Sequence, residues 1–92
     1  MSKFTQMATF VEVVARGSLS GAARAEGIAP AMIGRRLDAL EARLGVKLLR
    51  RTTRKLVLTD EGMAFLEDCQ RILAEVNEAE SAISERSGRA SG

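Results

Sequence analysis

The 92-residue sequence contains no histidine, no tryptophan and no tyrosine, and only one cysteine, one proline and three phenylalanines. Without histidine the chain lacks the commonest general base and the commonest metal ligand. Hydrolytic or metal chemistry would fall to Asp, Glu, Lys, Ser or Cys69 alone. The expectation is a protein that is not an enzyme, with no cofactor and no metal. A single cysteine forms no internal disulfide, which suits a reducing compartment. No run approaches the ~18 apolar residues that span a bilayer. The opening "MSKFTQMATF" lacks the charged, apolar, small-residue order of a signal peptide. These absences predict a cytoplasmic protein without a membrane partner. The three phenylalanines all fall on helix positions that read as core or seam. That leaves no aromatic platform for single-stranded nucleic acid.

What is present is 46% hydrophobic and 28% charged, the balance of a small folded domain. A chain this short buries a modest core, so dimerisation is a plausible source of added stability. The net charge of +2 hides an asymmetry. Residues 35–55 hold eight bases against two acids, and residues 60–85 hold eight acids against one base. The basic block suits a polyanionic partner. Alternatively, both blocks are solvated faces.

Apolar periodicity and breakers divide the chain. Phe4, Met7, Val11 and Val14, with Phe10 beside them, mark one face of a helix from about Lys3 to Ala15, closed by Gly17. A short second helix follows, with Ser20 as its expected cap and Gly27 at its end. The third starts at Pro30, a residue suited to a first helical position, and stops at Gly45. Its buried stripe is expected to be Ile33, Leu37, Leu40 and Leu44. "KLLR" and "KLVLT" read as short strands around the basic tip "RTTRK". Thr59 then caps a helix to about Glu85, ~40 Å long at 1.5 Å per residue. Phe65, Cys69, Ile72, Val76, Ala79 and Ile83 repeat at steps of 4, 3, 4, 3, 4, the spacing of a coiled-coil seam. In such a seam Cys69 lies near the dimer axis; a buried structural cysteine is the other reading.

The front of the third helix is unusual. Opposite the core stripe lie Ala31 and Arg35, with Met32 and Gly34 on the two flanks, and the exposed front is small or flat at Pro30, Ala31 and Gly34. Small residues let a helix sink into the major groove, where the arginine fork matches guanine O6 and N7. Arg36 lies beside the core with its head expected to reach outward to a phosphate. A short helix, a glycine turn and this helix make a helix-turn-helix, and the hairpin makes it winged. The wing tip Thr52, Thr53, Arg54 and Lys55 is expected on the flanking backbone or in the minor groove. Ser20 completes the expected DNA-binding set. Arg51 reads equally as a structural salt bridge, and Arg50 and Lys47 as solvated.

"FVEVVARGSLSGAA" and "RRLDALEARLGVKLLRRTTRKLVLTDEG" resemble the N-terminal DNA-binding domain of LysR-type transcriptional regulators. The resemblance covers about residues 4–85. It is carried by the GSxS-AA, LExxLGxxLLxRxxR and LTxxG patterns in order. It implies a bacterial regulator whose homodimer binds duplex DNA at a pseudo-palindromic site and whose linker helices pair antiparallel. It also implies an inducer-binding C-terminal domain, and so a chain cut after its linker helix. The expected architecture is mainly α. Residues 1–59 form a winged helix-turn-helix (helix-turn-helix about 20–44, wing about 46–59), 60–86 a dimerisation helix and 87–92 a flexible tail. The chain departs from the family at Ala29-Pro30-Ala31, where Ser-Gln-Pro is frequent, and at Gly34, where serine or threonine is frequent. Glu26 stands where a leucine is usual and is expected to reach the surface or a basic partner. The alternative function is a winged helix used as a protein-interaction or dimerisation module without DNA specificity.

Overall fold

The glycines and hydroxyls that punctuate the sequence also punctuate the fold. The computed structural model describes residues 2–52 and 55–88. Its elements are α1 (Lys3–Arg16), α2 (Leu19–Glu26), α3 (Pro30–Leu44), β1 (Leu49–Arg51), β2 (Leu56–Leu58) and α4 (Asp60–Arg86). The strands form an antiparallel hairpin pairing Leu49 with Leu58, Arg50 with Val57 and Arg51 with Leu56. The result is a winged helix-turn-helix followed by a long helix.

Helix ends follow local chemistry. Gly27 and Gly45 close α2 and α3 at φ 71° and 75°, left-handed values that side chains with a Cβ rarely adopt. The cap of α2 is Ser18, not Ser20: the Ser18 hydroxyl accepts from the Gly21 N–H at 2.9 Å. The helix therefore starts two residues earlier than expected, and Ser20 stands exposed within its first turn. Ala29 gives α3 no side-chain cap, as its chemistry dictates. Thr59 Oγ1 accepts from the Gly62 N–H at 2.9 Å and donates to the Lys47 carbonyl at 2.6 Å. This one hydroxyl starts α4 and ties it to the segment entering the wing.

The core gathers Phe10, Val13, Ala22, Ala23, Ile33, Leu37, Leu40, Leu48, Leu49 and Cys69. Two expected stripes shift. Leu44 is 37% exposed, because the last turn of α3 runs past the elements that cover Ile33, Leu37 and Leu40. In α1 the deepest line is Gln6, Thr9, Phe10 and Val13, while Phe4 is 47% exposed. α1 packs against α2, α3 and α4 at once, and the polar members of its line are satisfied across those interfaces. Arg43 Nε and NH2 donate to Gln6 Oε1 at 2.9 and 2.8 Å. Thr9 Oγ1 donates to Glu26 Oε2 at 3.3 Å and accepts from Arg36 NH1 at 3.2 Å.

The expected seam of α4 divides in two. Cys69 is fully buried in the domain core, and Phe65 packs against Phe10 with ring centroids 5.7 Å apart. Neither is on an open dimerisation face. The first turns of α4 are needed to cover α1, so their apolar side turns inward. Further on Ile72 and Ile83 are exposed, as is Ala79, and Val76 is half-buried.

Candidate nucleic-acid interface

α3 is anchored by its core face and leaves its front bare. Pro30, Ala31, Met32 and Arg35 are exposed, and Met32 retains 40% of its surface. Arg35 has no ion-pair or hydrogen-bond partner for its guanidinium among the described residues. The compact side chains of Pro30 and Ala31 lie beside the larger Met32, and Arg35 projects among them as a cation without a partner among the described residues.

Arg36 does not join it. Its NH1 donates to Glu26 Oε1 at 2.7 Å, and its side chain is only 16% exposed. The expected outward head is turned inward because Glu26, where a leucine is usual, needs a cation. Arg36 supplies one from the next helix, and Thr9 completes the group. Sequence periodicity placed Arg36 beside the core but carried no sign of its partner.

The wing is fixed to α3 by Glu41. Its Oε2 accepts from the Leu48 and Leu49 N–H groups at 2.7 and 3.1 Å, and its Oε1 from Lys47 Nζ at 3.3 Å. Burial pushes this carboxyl's pKa up. The two backbone N–H groups and the Lys47 ammonium outweigh it and hold the pKa below the ordinary value. The acid of the LExxLG pattern is thus the bracket that aims the hairpin. At the tip, the Thr52 N–H donates to the Lys55 carbonyl at 2.9 Å, and the Lys55 N–H donates to Thr52 Oγ1 at 2.9 Å. Thr53 and Arg54 lie outside the described residues.

The wing and α2 face each other across an open cleft of about 200 Å³ lined by Ser18, Ser20, Arg51, Thr52 and Lys55 among others. Ser20 also borders a hollow at the turn, with Arg24, Ala29 and Pro30. The fold therefore brings Ser20 close to both the wing and the start of α3. Sequence reasoning left Arg51 open and passed over Asp38. Arg51 NH2 donates to Asp38 Oδ1 at 3.0 Å, which joins the wing to the outer face of α3. The signal was the four-residue step from Gly34 to Asp38 beneath a basic strand.

Among the described residues no three His, Cys, Asp or Glu side chains gather as a metal site, and no helix is long and apolar enough to cross a membrane.

The family model described as "Bacterial regulatory helix-turn-helix protein, lysR family" matches residues 4–63. An HTH-type transcriptional repressor of Pseudomonas aeruginosa is 47% identical over 83 residues, covering 90% of this chain and 26% of the relative. The HTH-type transcriptional regulator CrgA of Neisseria meningitidis is 45% identical over 76 residues, covering 83% and 25%. The chain thus spans about a quarter of the length of these relatives. Among solved structures, a BenM DNA-binding domain in complex with catB site 1 DNA superposes with a TM-score of 0.88 at 30% identity, covering 99% of both chains. A CbnR DNA-binding domain in complex with DNA gives 0.81 at 39% identity, covering 96% of this chain and all of that one.

Proposed function

The chain belongs to the lysR family of bacterial regulatory helix-turn-helix proteins, and on that premise we propose that it reads duplex DNA sequence as a homodimer. The observation that carries the reading is the front of α3: exposed Pro30, Ala31 and Met32 around an unpartnered Arg35. Helix 30–44 enters the major groove, and Arg35 reads a guanine edge. Pro30, Ala31 and Gly34 allow close approach, and Met32 lines the contact beside them. Ser20, Thr52 and Lys55, with Thr53 and Arg54, hold flanking backbone or the minor groove. Arg36 is left out of this set because Glu26 and Thr9 engage it. The DNA complexes of the two structural neighbours support the assignment.

Residues 1–59 and the first turns of the long helix form the reader. The two-fold partner docks on the distal part of that helix, through Ile72, Val76, Ala79 and Ile83. Residues 87–92 lead toward an inducer-binding domain in a longer transcriptional regulator, of the length the relatives have. The protein acts by binding in the bacterial cytoplasm, not by catalysis.

Fluorescence anisotropy with two labelled duplexes tests this, one carrying a site selected from a random library and one scrambled, each titrated across salt. The expected result is selective binding that weakens as salt rises. Arg35→Ala should flatten preference at one position per half-site by ~1–3 kcal/mol. Equal binding to both duplexes at every salt concentration would remove the sequence-reading claim. No binding at low salt would move the function to protein interaction.

A further inference from the structure

Gly34 leaves a notch on α3, and a side chain from the wing occupies its mouth. Arg51 NH1 lies 3.6 Å from the position a Cβ on residue 34 would take. Its NH2 donates to Asp38 Oδ1 one turn along the helix. The guanidinium of a β1 residue therefore lies along α3 between residues 34 and 38. At about 100° per residue, Ala31, Asp38 and Arg35 fall within a sector of about 60°. Arg51 thus borders the same front from which Arg35 projects.

We infer that Arg51, steadied by Asp38 over the Gly34 notch, is a second base-reading arginine that selects a guanine beside the one read by Arg35. The inference rests on the DNA-reading function proposed above. The Arg51 and Asp38 side chains are 39% and 63% exposed, and an ion pair that open adds little to stability. It does fix the direction of a long side chain. One carboxylate oxygen takes one NH2 hydrogen; the other NH2 hydrogen and those of NH1 remain as a fork for two acceptors. Guanine O6 and N7 present such a pair in the major groove. A phosphate is the poorer ligand, because Asp38 cancels the charge that would attract it and repels the anion itself. Gly34 has a role here beyond thin backbone: a larger side chain at 34 would crowd NH1. The polar atom lost there relative to serine or threonine is replaced by the guanidinium from the wing.

The test measures binding of the wild-type chain and of Arg51→Gln, Asp38→Ala and Asp38→Asn. Probes are the library-selected duplex, every single-base-pair variant of its half-site and a scrambled duplex, at several salt concentrations. Melting temperatures are recorded in parallel. Wild type should prefer guanine at two positions per half-site. Arg51→Gln should erase the preference that Arg35→Ala leaves intact, by about tenfold to a hundredfold. Asp38→Ala should weaken that same preference while raising affinity for scrambled DNA and steepening the salt dependence, since a cation is unmasked. Asp38→Asn, which keeps an acceptor oxygen, should retain part of the preference. If Arg51→Gln leaves every base preference unchanged and lowers only the melting temperature, the pair merely staples the wing. If it weakens selected and scrambled duplexes equally, Arg51 holds a phosphate. Either result overturns the inference while wild-type selectivity, and with it the proposed function, stands. A wild-type chain without selectivity overturns both.

Discussion

Gly62 sits where α4 crosses the entry to the wing, and adding one methyl group there should disrupt the domain. A Cβ on residue 62 would overlap the Leu48 carbonyl oxygen and lie 2.9 Å from the Leu48 carbonyl carbon and 3.1 Å from Leu58 Cδ2. The first obstacle is backbone, and that backbone is held on several sides. The Leu48 carbonyl accepts from the Thr59 N–H at 3.0 Å, the Leu48 N–H donates to Glu41, and the Thr59 hydroxyl bonds the Lys47 carbonyl. Relief requires α4 to move away from the strand, which lengthens the Thr59 bonds. Overpacking of a filled site costs about 1–3 kcal/mol. Loss of a threonine cap adds about 1 kcal/mol. The better helix propensity of alanine returns up to about 1 kcal/mol. Gly62→Ala is therefore expected to destabilise by about 1–4 kcal/mol, a drop in melting temperature of roughly 5–30 °C for a domain of this size. Circular dichroism at 222 nm, in thermal and urea melts at matched protein concentration, measures it. Gly34→Ala is the internal control, since its Cβ meets only Arg51 NH1 at an ordinary 3.6 Å. That variant should melt at or slightly above the wild-type temperature. A Gly62→Ala protein as stable as wild type would refute the reasoning.

Three further outcomes follow from the buried polar groups and the thiol. Glu41 has its folded-state pKa lowered, so it stabilises above its unfolded value near 4.5 and loses that contribution as pH falls through the folded value. Glu41→Gln should cost about 1.5–3 kcal/mol at pH 7, and urea melts should show the gap from wild type closing toward pH 3; a gap constant with pH would contradict the bracket. Burial, with Asp68 adding to it, pushes the Cys69 thiol up to about 11. Alkylation at pH 8 should run roughly a hundredfold or more slower than for a free cysteine and recover in urea, and mild oxidation should give no crosslinked dimer on a non-reducing gel. Glu26→Ala strips a half-buried Arg36 of its carboxylate and should lower stability by about 1–3 kcal/mol. Glu26→Leu combined with Arg36→Met should recover most of the loss in the same melts, since an apolar pair satisfies the site as well.

The element boundaries were legible because they depend on local chemistry. Gly27, Pro30, Gly45 and Thr59 act within a few residues of themselves, and the helices start or stop at them. Ser18 and Ser20 show the resolution limit of such signals: both are good caps, and only the first stands three residues before a free N–H, that of Gly21. Periodicity was less informative about what covers each face. In α1 it counted Gln6 and Thr9 as polar and turned the helix toward Phe4, yet both polar residues are buried because partners on α2 and α3 satisfy them. In α4 a regular 4-3 repeat was read as one seam. The repeat is continuous, but its neighbour changes. Near Phe65 and Cys69 the helix faces its own domain, and beyond Ile72 it faces outward.

The same pairing changes what the basic block means. Eight bases lie between residues 35 and 55, and four of the seven described ones are already engaged. Arg36 meets Glu26, Lys47 meets Glu41, Arg51 meets Asp38 and Arg43 bonds Gln6. Arg35, Arg50 and Lys55 are the described bases of the block whose side chains have no such partner. A count of charges treats the block as one attractive surface. The partners divide it into cations that build the domain, one cation oriented by a carboxylate, and a few left free. Arg36 and Arg35 are adjacent in sequence yet fall into different groups, because one helix turn directs Arg36 toward Glu26 and Arg35 toward solvent. Where the positive charge points is then set less by how much of it the chain carries than by the acids Glu26, Asp38 and Glu41 that pair with it.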